Sequence, residues 1–283
     1  MTTYLPRSLL SVRTITLPPG FDWQWLCEQP AIPLMPVAQL AEANDPPARS
    51  REGSRYIRRY QVFDLYDAIC FANYKGAILN IELTISWKLA GISSPTDVKR
   101  AYNMLMDRFR KFMVQRRYPA YYYAVFENDR KIGYHNHIGL HVPDSLQAAF
   151  RRWIKNIELE IVQGTTTGRL FHIRLHKQSS VKSQWQWFKY CVKGLDPSLT
   201  KRDKQLGKPD ANSLAGVWRR ETGYVELQRV RIARSLGHKA RRDASYTPKH
   251  SITNISEPNR YSDWEFERGR VDRGEVIVQL SDD

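Results

Sequence analysis

Between residues 79 and 86 the chain alternates in character. Leu79, Ile81, Leu83 and Ile85 are apolar, and Asn80, Glu82, Thr84 and Ser86 between them are polar. A period of two predicts a strand with one apolar and one polar face. In "SSPTDVKRAYNMLMDRFRKFMVQRR" the apolar positions become Val98, Tyr102, Leu105, Phe109 and Phe112. Spacings of four and three predict an amphipathic helix, and Ser94 with Pro95 makes a good helix start. "YYYAVFEN" and "YHNHIGLHV" read as a hairpin turning at "DRKIG". Residues 144–162 predict a second helix, with Leu146, Phe150, Trp153, Ile157 and Ile161 on one face and Gly164 at its end. "RLFHIRLH" sets Phe171, Ile173 and Leu175 against His172, Arg174 and His176, a further strand. Residues 180–193 predict a third helix.

The order strand, helix, strand, strand, helix, strand predicts an α+β fold. Its core would be the β-α-β-β-α-β, ferredoxin-like or RRM-like arrangement around a central antiparallel sheet. Helices would cover one face of the sheet and leave the other open. Asn80, Glu82 and Thr84, then His135 and His137, then His172, Arg174 and His176, would line that open face. Around this core at 75–200, the proline-scattered residues 1–74 read as an irregular extension. Residues 201–250 read as a basic region that packs on the core or binds DNA, and 251–283 as an acidic tail.

Charge sharpens the picture. The net charge is +15, which favours a polyanion as partner. It is unevenly spread: residues 201–242 hold twelve Lys/Arg against four Asp/Glu, whereas 251–283 hold four against eight. The basic segment "WRRETGYVELQRVRIARSLGHKARR" makes Arg219, Arg220, Arg229, Arg231 and Arg234 candidates for gripping duplex DNA through its phosphates. A solvated basic helix, or an edge packed on the core, is the competing reading. Three scattered cysteines fit a reduced compartment and give no zinc pattern. With no apolar run of transmembrane length and no signal peptide, a cytoplasmic protein without a membrane partner is expected.

The candidate chemistry lies in "AVFENDRKIGYHNHIGLHVP". Ile138, Leu140 and Val142 face inward, so His135, His137 and His141 point outward. His135 and His137 are ~7 Å apart at the backbone, close enough to share a cation, while His141 is ~13 Å further on. In a regular hairpin Glu127 stands opposite His135 and brings a carboxylate to the same spot. Two imidazoles and a carboxylate suit a Lewis-acid divalent ion. If Glu127 pointed away, His172 would be the next candidate ligand. On the last helix, Val181, Trp185, Phe188 and Val192 form one stripe, and Tyr190 lies about 180° from it. Lys193 follows three residues later.

These residues resemble a known family. Glu-x7-His-x-His on a hairpin, followed by Tyr-x-x-Lys on a helix, is similar to the HUH endonucleases. More narrowly, it resembles the rolling-circle replication initiators (Rep proteins) of plasmids and single-stranded DNA phages and viruses. "ELTISW" resembles their first motif, "FENDRKIGYHNHIGLHVP" the metal motif, and "YCVKG" the nucleophile motif; together they span residues 77–194. Two features depart from the usual pattern: Asn136 stands between the histidines where a hydrophobic residue is usual, and Gln186 leaves a single tyrosine. No Gly-x4-Gly-Lys-Ser/Thr loop occurs, so the helicase domain fused to many viral relatives is missing from the pattern.

The resemblance implies a metal-dependent nickase and strand transferase in a bacterial host cell. Tyr190 would attack a phosphodiester of single-stranded origin DNA and keep the 5′-phosphate as a phosphotyrosine intermediate. Mg2+ or Mn2+ on His135, His137 and Glu127 would assist, and Lys193 would offset charge near the phosphate or position a metal-bound water. Thr84, Arg174, His172 and His176 would hold the strand. A host helicase and polymerase are the implied partners. A single-tyrosine transposase or mobilisation relaxase would use the same chemistry on other DNA. A non-catalytic nucleic-acid-binding module would instead carry aromatics on the open face, where this chain has His, Glu, Arg and Asn.

Overall fold

The computed structural model describes residues 53–162, 169–176, 181–197, 220–248 and 263–275. Nearly all belong to a compact unit, Glu52–Gly269. A second unit joins Met1–Arg51 with Arg270–Asp283, and within it only 270–275, a last helical turn, are described.

The fold is α+β. Five strands form one sheet: β1 Ile81–Ser86, β2 Tyr122–Asp129, β3 Gly133–Leu140, β4 Phe171–Leu175 and β5 Val230–Ile232. Their order is β4-β1-β3-β2-β5, and every neighbouring pair is antiparallel. The described helices are α1 Arg59–Tyr74, α2 Pro95–Val114, α3 Gln147–Val162, α4 Val181–Cys191, α5 His238–Asp243 and α6 Trp264–Asp272. Among them none is long and apolar enough to cross a membrane.

The pattern-based helices form for the expected reasons. Ser94 caps α2, its hydroxyl oxygen accepting from the Asp97 N–H at 3.1 Å, and Pro95 occupies the first turn where its missing N–H costs nothing. Val98, Tyr102, Leu105, Phe109 and Phe112 are all buried. They meet Phe150, Ile154 and Ile157 of α3 and the row Ile81, Leu83, Ile85, Ala124, Phe126, Ile138 and Leu140 from β1–β3. Alternation along each strand thus delivers one apolar face to α2 and α3.

Among the described residues, the opposite face stays open only toward β4, where His172 and Arg174 are exposed. Tyr123 and Val125 of β2 pack with Leu65, Tyr66 and Ile69 of α1 and with Trp185, Phe188 and Cys191 of α4 in a second core. Helices therefore cover both faces, which corrects the expectation of helices on one face only. The region read as an irregular extension accounts for this: residues 59–74 are the 16-residue helix α1. Its apolar residues are buried on several sides, so they form no single stripe. It also lacks a Ser/Thr/Asp start signal. Its N-terminus is closed by the Arg58 N–H donating to Gln61 Oε1 at 2.9 Å. Residues 1–52 lie outside the described residues, as does most of the stretch read as an acidic tail, of which 264–272 are helical.

Two strand positions also differ from the simple alternation. Leu79 joins the α1/α4 core while Ile81 joins the α2/α3 core, although both have the same parity. The register breaks at Asn80, which is fully buried. Its Nδ2 donates to Val142 O at 2.9 Å and its Oδ1 accepts from the Val142 N–H at 3.0 Å, clipping β1 to the end of β3. Asn80 is thus a structural bracket, not a residue of an open polar face. β5, the edge beside β2, comes from the basic segment.

Candidate active site

The hairpin of β2 and β3 sets the first half of the site. Asp129 pairs with Gly133 across a three-residue loop. Asp129 Oδ1 accepts from the Lys131 N–H at 2.7 Å and the Ile132 N–H at 3.3 Å, and Gly133 takes the left-handed conformation (φ 69°) that such a loop requires. This loop fixes the register, and Glu127 stands opposite His135 as the spacing predicted. Glu127, His135 and His137 are all buried, on the side of the sheet where α4 packs.

Their polar atoms converge. His135 Nε2 lies 2.9 Å and His137 Nε2 3.3 Å from Glu127 Oε2. One ligand atom from each of the three residues lies within 4.8 Å of the other two. Each imidazole is held from behind. His135 Nδ1 lies 3.0 Å from Gly133 O, and a carbonyl can only accept, so Nδ1 carries a proton. With Nδ1 engaged there, Nε2 is the ring atom turned toward the Glu127 carboxylate. His137 Nδ1 lies 3.1 Å from Thr84 Oγ1, its neighbour across β1 and β3. Two backed imidazoles and one carboxylate suit a divalent cation, and the Gly133 carbonyl and the Thr84 hydroxyl behind them orient each ring. The group could bind a metal ion.

The second half comes from α4. Gln184 Oε1 accepts from the Leu79 N–H at 2.7 Å, and Trp187 Nε1 donates to Ile138 O at 3.2 Å, so the helix is tied to two strands. Tyr190 is 46% exposed, off the buried stripe as its wheel position indicated. Its ring meets the His137 ring edge-on at 4.9 Å and stacks on Trp187 at 5.2 Å. Lys193, only 6% exposed, reaches back with Nζ 2.5 Å from Glu127 Oε1 and 3.3 Å from His137 Nε2. Gly194 is needed behind it: a Cβ there would sit 2.4 Å from Thr222 Oγ1.

Electrostatics follow from this packing. Burial alone would raise the Glu127 pKa, but its close contacts with His135 and His137, together with the Lys193 charge, outweigh it and hold the carboxyl well below its usual range. Burial lowers His137 to about 4, aided by Lys193 and opposed by Glu127, so its ring is neutral at pH 7 and free to ligate. Burial, with the Glu127 charge, raises the Tyr190 phenol above its ordinary value.

No family profile, curated protein or solved structure matches the chain.

The site therefore stands on its own geometry. Of the residues singled out from sequence, Glu127, His135, His137, Tyr190, Lys193 and Thr84 come together. His172 faces Thr84 from β4 but is exposed and outside the trio, and Arg174 is exposed beside Glu82. His176 is buried, with Nε2 2.7 Å from Glu82 Oε1, and His141 Nδ1 bonds Ile78 O at 2.7 Å. Arg220 and Arg234 are exposed, and the Arg220 N–H donates to Lys193 O at 2.8 Å. Arg219 lies outside the described residues.

Two arginines offered for DNA are engaged elsewhere. Arg229 is 1% exposed and donates to Thr222 Oγ1, Ser54 O, Arg55 O and Gly223 O. Arg231 donates to Asn103 Oδ1 at 2.8 Å and lies over the Tyr102 and Phe126 rings. Arg229 is spent on packing beside β2, which corrects its reading as a phosphate contact, whereas Arg231 is only half-buried there. Asn136 is explained as well: it points to the α2/α3 core, where Oδ1 accepts from Trp87 Nε1. Trp187 was not singled out, although its place three residues before Tyr190 on one helix face is a readable signal.

Thr84 moves from strand holder to support for His137. For Nε2 to ligate, Nδ1 must carry the proton and donate to Thr84 Oγ1. Thr84→Val keeps the shape and removes that acceptor. Mn2+ affinity is expected to fall about tenfold with the fold retained, the usual size when the group that orients a ligating histidine is lost. Calorimetric titration checks this, and unchanged affinity would remove Thr84 from the site.

Proposed function

We propose that the protein nicks and rejoins single-stranded DNA through a phosphotyrosine, as a rolling-circle replication initiator of the HUH type. One juxtaposition carries this reading. A half-exposed tyrosine lies edge-on to a buried histidine of a Glu/His/His group, 4.9 Å between ring centroids. Nothing in the packing stripe of α4 calls for a tyrosine there. The sheet order supports the same reading. With α2 joining β1 to β2 and α3 joining β3 to β4, the order β4-β1-β3-β2 is consistent with a ferredoxin-like reading, with β5 added at the edge.

His135, His137 and Glu127 would hold the metal, and Mg2+ or Mn2+ bound there would supply Lewis-acid polarisation of the phosphate oxygens. Tyr190 Oη gives up its proton to water and attacks phosphorus, forming an O–P bond. The P–O3′ bond breaks, and the released oxygen takes up a proton as a 3′-hydroxyl. Trp187 keeps the phenol ring from turning. Because one phosphoester replaces another, the 3′-hydroxyl can return and reseal the strand. A host polymerase would extend that hydroxyl, with a host helicase opening the duplex ahead.

The test uses single-stranded oligonucleotides tiling the replicon that carries the gene, labelled at the 3′ end. With Mn2+ a covalent protein–DNA adduct is expected, mapping to Tyr190 by peptide mass spectrometry and disappearing with EDTA. Absence of any adduct across the tiling set would sink the assignment.

A further inference from the structure

Glu127 is a carboxylate buried to 2% exposure, and a bare charge there would be strongly unfavourable. The fold answers it with Lys193, whose Nζ is 2.5 Å from Oε1. The same ammonium lies 3.3 Å from His137 Nε2. That nitrogen has one lone pair in the neutral ring. It can accept from an ammonium or bind a metal ion, but it cannot do both. Glu127 is similarly committed, since Oε2 faces the two histidines and Oε1 faces the lysine. Lys193 therefore contacts two of the three residues that would ligate a cation.

We propose that the Lys193 ammonium and a divalent cation are alternative occupants of one donor set, so that metal binding expels Lys193 from Glu127. The inference rests on the metal-site reading and goes beyond it. In a buried site an ammonium and a dication cannot share one carboxylate without severe repulsion. The lysine has somewhere to go. Its Nζ is already 4.0 Å from the centroid of the Tyr190 ring, and Tyr190 is half exposed. Rotation about the side-chain bonds carries the charge toward the phenol and the solvent-facing side of the site. Metal loading thus does two things at once: it fills the Glu127/His137 position, and it moves a positive charge to the group that becomes negative during attack. The choice of side chain is consistent. A lysine is a flexible point charge that can retract, whereas the planar guanidinium of arginine would grip the carboxylate at two points. A carboxylate paired within the chain also means that folding does not wait for metal, unlike a structural zinc site.

Isothermal titration of the full chain with MnCl2 at pH 7 tests the competition. Lys193→Met removes the competitor and is expected to tighten Mn2+ binding by about tenfold or more. Equal or weaker binding than wild type would overturn the exchange while leaving the metal site in place. No binding by either protein would overturn the exchange and the metal site together. Should Lys193→Met fail to fold, the wild-type chain still decides. Reductive methylation with formaldehyde, read by mass spectrometry, is expected to label Lys193 roughly fivefold more when Mn2+ is present, with the exposed Lys88 and Lys99 unchanged. Labelling of Lys193 that does not rise with Mn2+ overturns the proposal.

Discussion

Replacing Tyr190 with phenylalanine is expected to abolish covalent attachment to DNA, by roughly a thousandfold or more, the scale seen when an acting nucleophile is removed. The substitution deletes one oxygen and keeps the ring that stacks on Trp187 and meets His137. With the residue 46% exposed, fold stability should change little. Mn2+ affinity should also hold, because the hydroxyl is not among the converging donor atoms. Denaturing gels of labelled oligonucleotide give the adduct yield, and calorimetry gives the metal affinity. An adduct that persists in Tyr190→Phe would move the nucleophile elsewhere. An adduct lost together with metal binding would instead mean that Tyr190 shapes the cation site. The electrostatics explain why the phenol needs help. Burial and the Glu127 charge both raise its pKa, so it is neutral at pH 7 and a weak nucleophile until positive charge is brought beside it.

Arg229→Met is expected to cost about 3–5 kcal/mol of stability, the range for breaking a buried charged network. For a unit of this size that corresponds to a melting temperature lower by on the order of 10 °C. The guanidinium joins Ser54 and Arg55, which precede α1, to Thr222 and Gly223, which precede β5. Burial lowers its pKa to about 10, still far above neutrality, so the bond donors remain charged. Methionine fills much of the volume but takes a charged donor away from the carbonyls of Ser54, Arg55, Phe126 and Gly223 and from the Thr222 hydroxyl. Urea denaturation followed by circular dichroism measures the loss. DNA affinity per folded molecule should be unchanged. A stable variant with weakened DNA binding would return Arg229 to the phosphate-contacting set.

The parts of this fold that were legible in sequence are those governed by local periodicity. β1 from Ile81 onward, α2 with its Ser94 cap, and the β2–β3 hairpin with Gly133 at its turn each follow from spacing and turn chemistry. The Glu127–His135 pairing was readable for the same reason, since hairpin register is local. The rest depends on contacts distant in sequence. Arg229 reads as one more basic residue, and its burial is set by carbonyls about 175 residues away. Asn136 reads as a misfit until Trp87, 49 residues earlier, supplies the donor. α1 escaped notice because burial on several sides erases the stripe that marks an amphipathic helix. Thr84 was found, but its task was not, because only the β1–β3 register puts it behind His137.

The second core has a consequence for what can be inherited or excised as a piece. The three motifs span residues 77–194, yet that span omits α1, which packs with Trp185 and Phe188 of the helix carrying Tyr190. It also omits Arg229, which fastens the approach to α1 to the approach to β5. A fragment cut at the motif boundaries would leave the rear of the tyrosine helix bare to water. A piece that keeps these contacts reaches at least from Ser54, where the Arg229 clamp begins, to Arg268, which lies over the Tyr74 and Tyr246 rings. The packed unit is larger than the span of the candidate site, and recombination would have to move the former to transplant the latter.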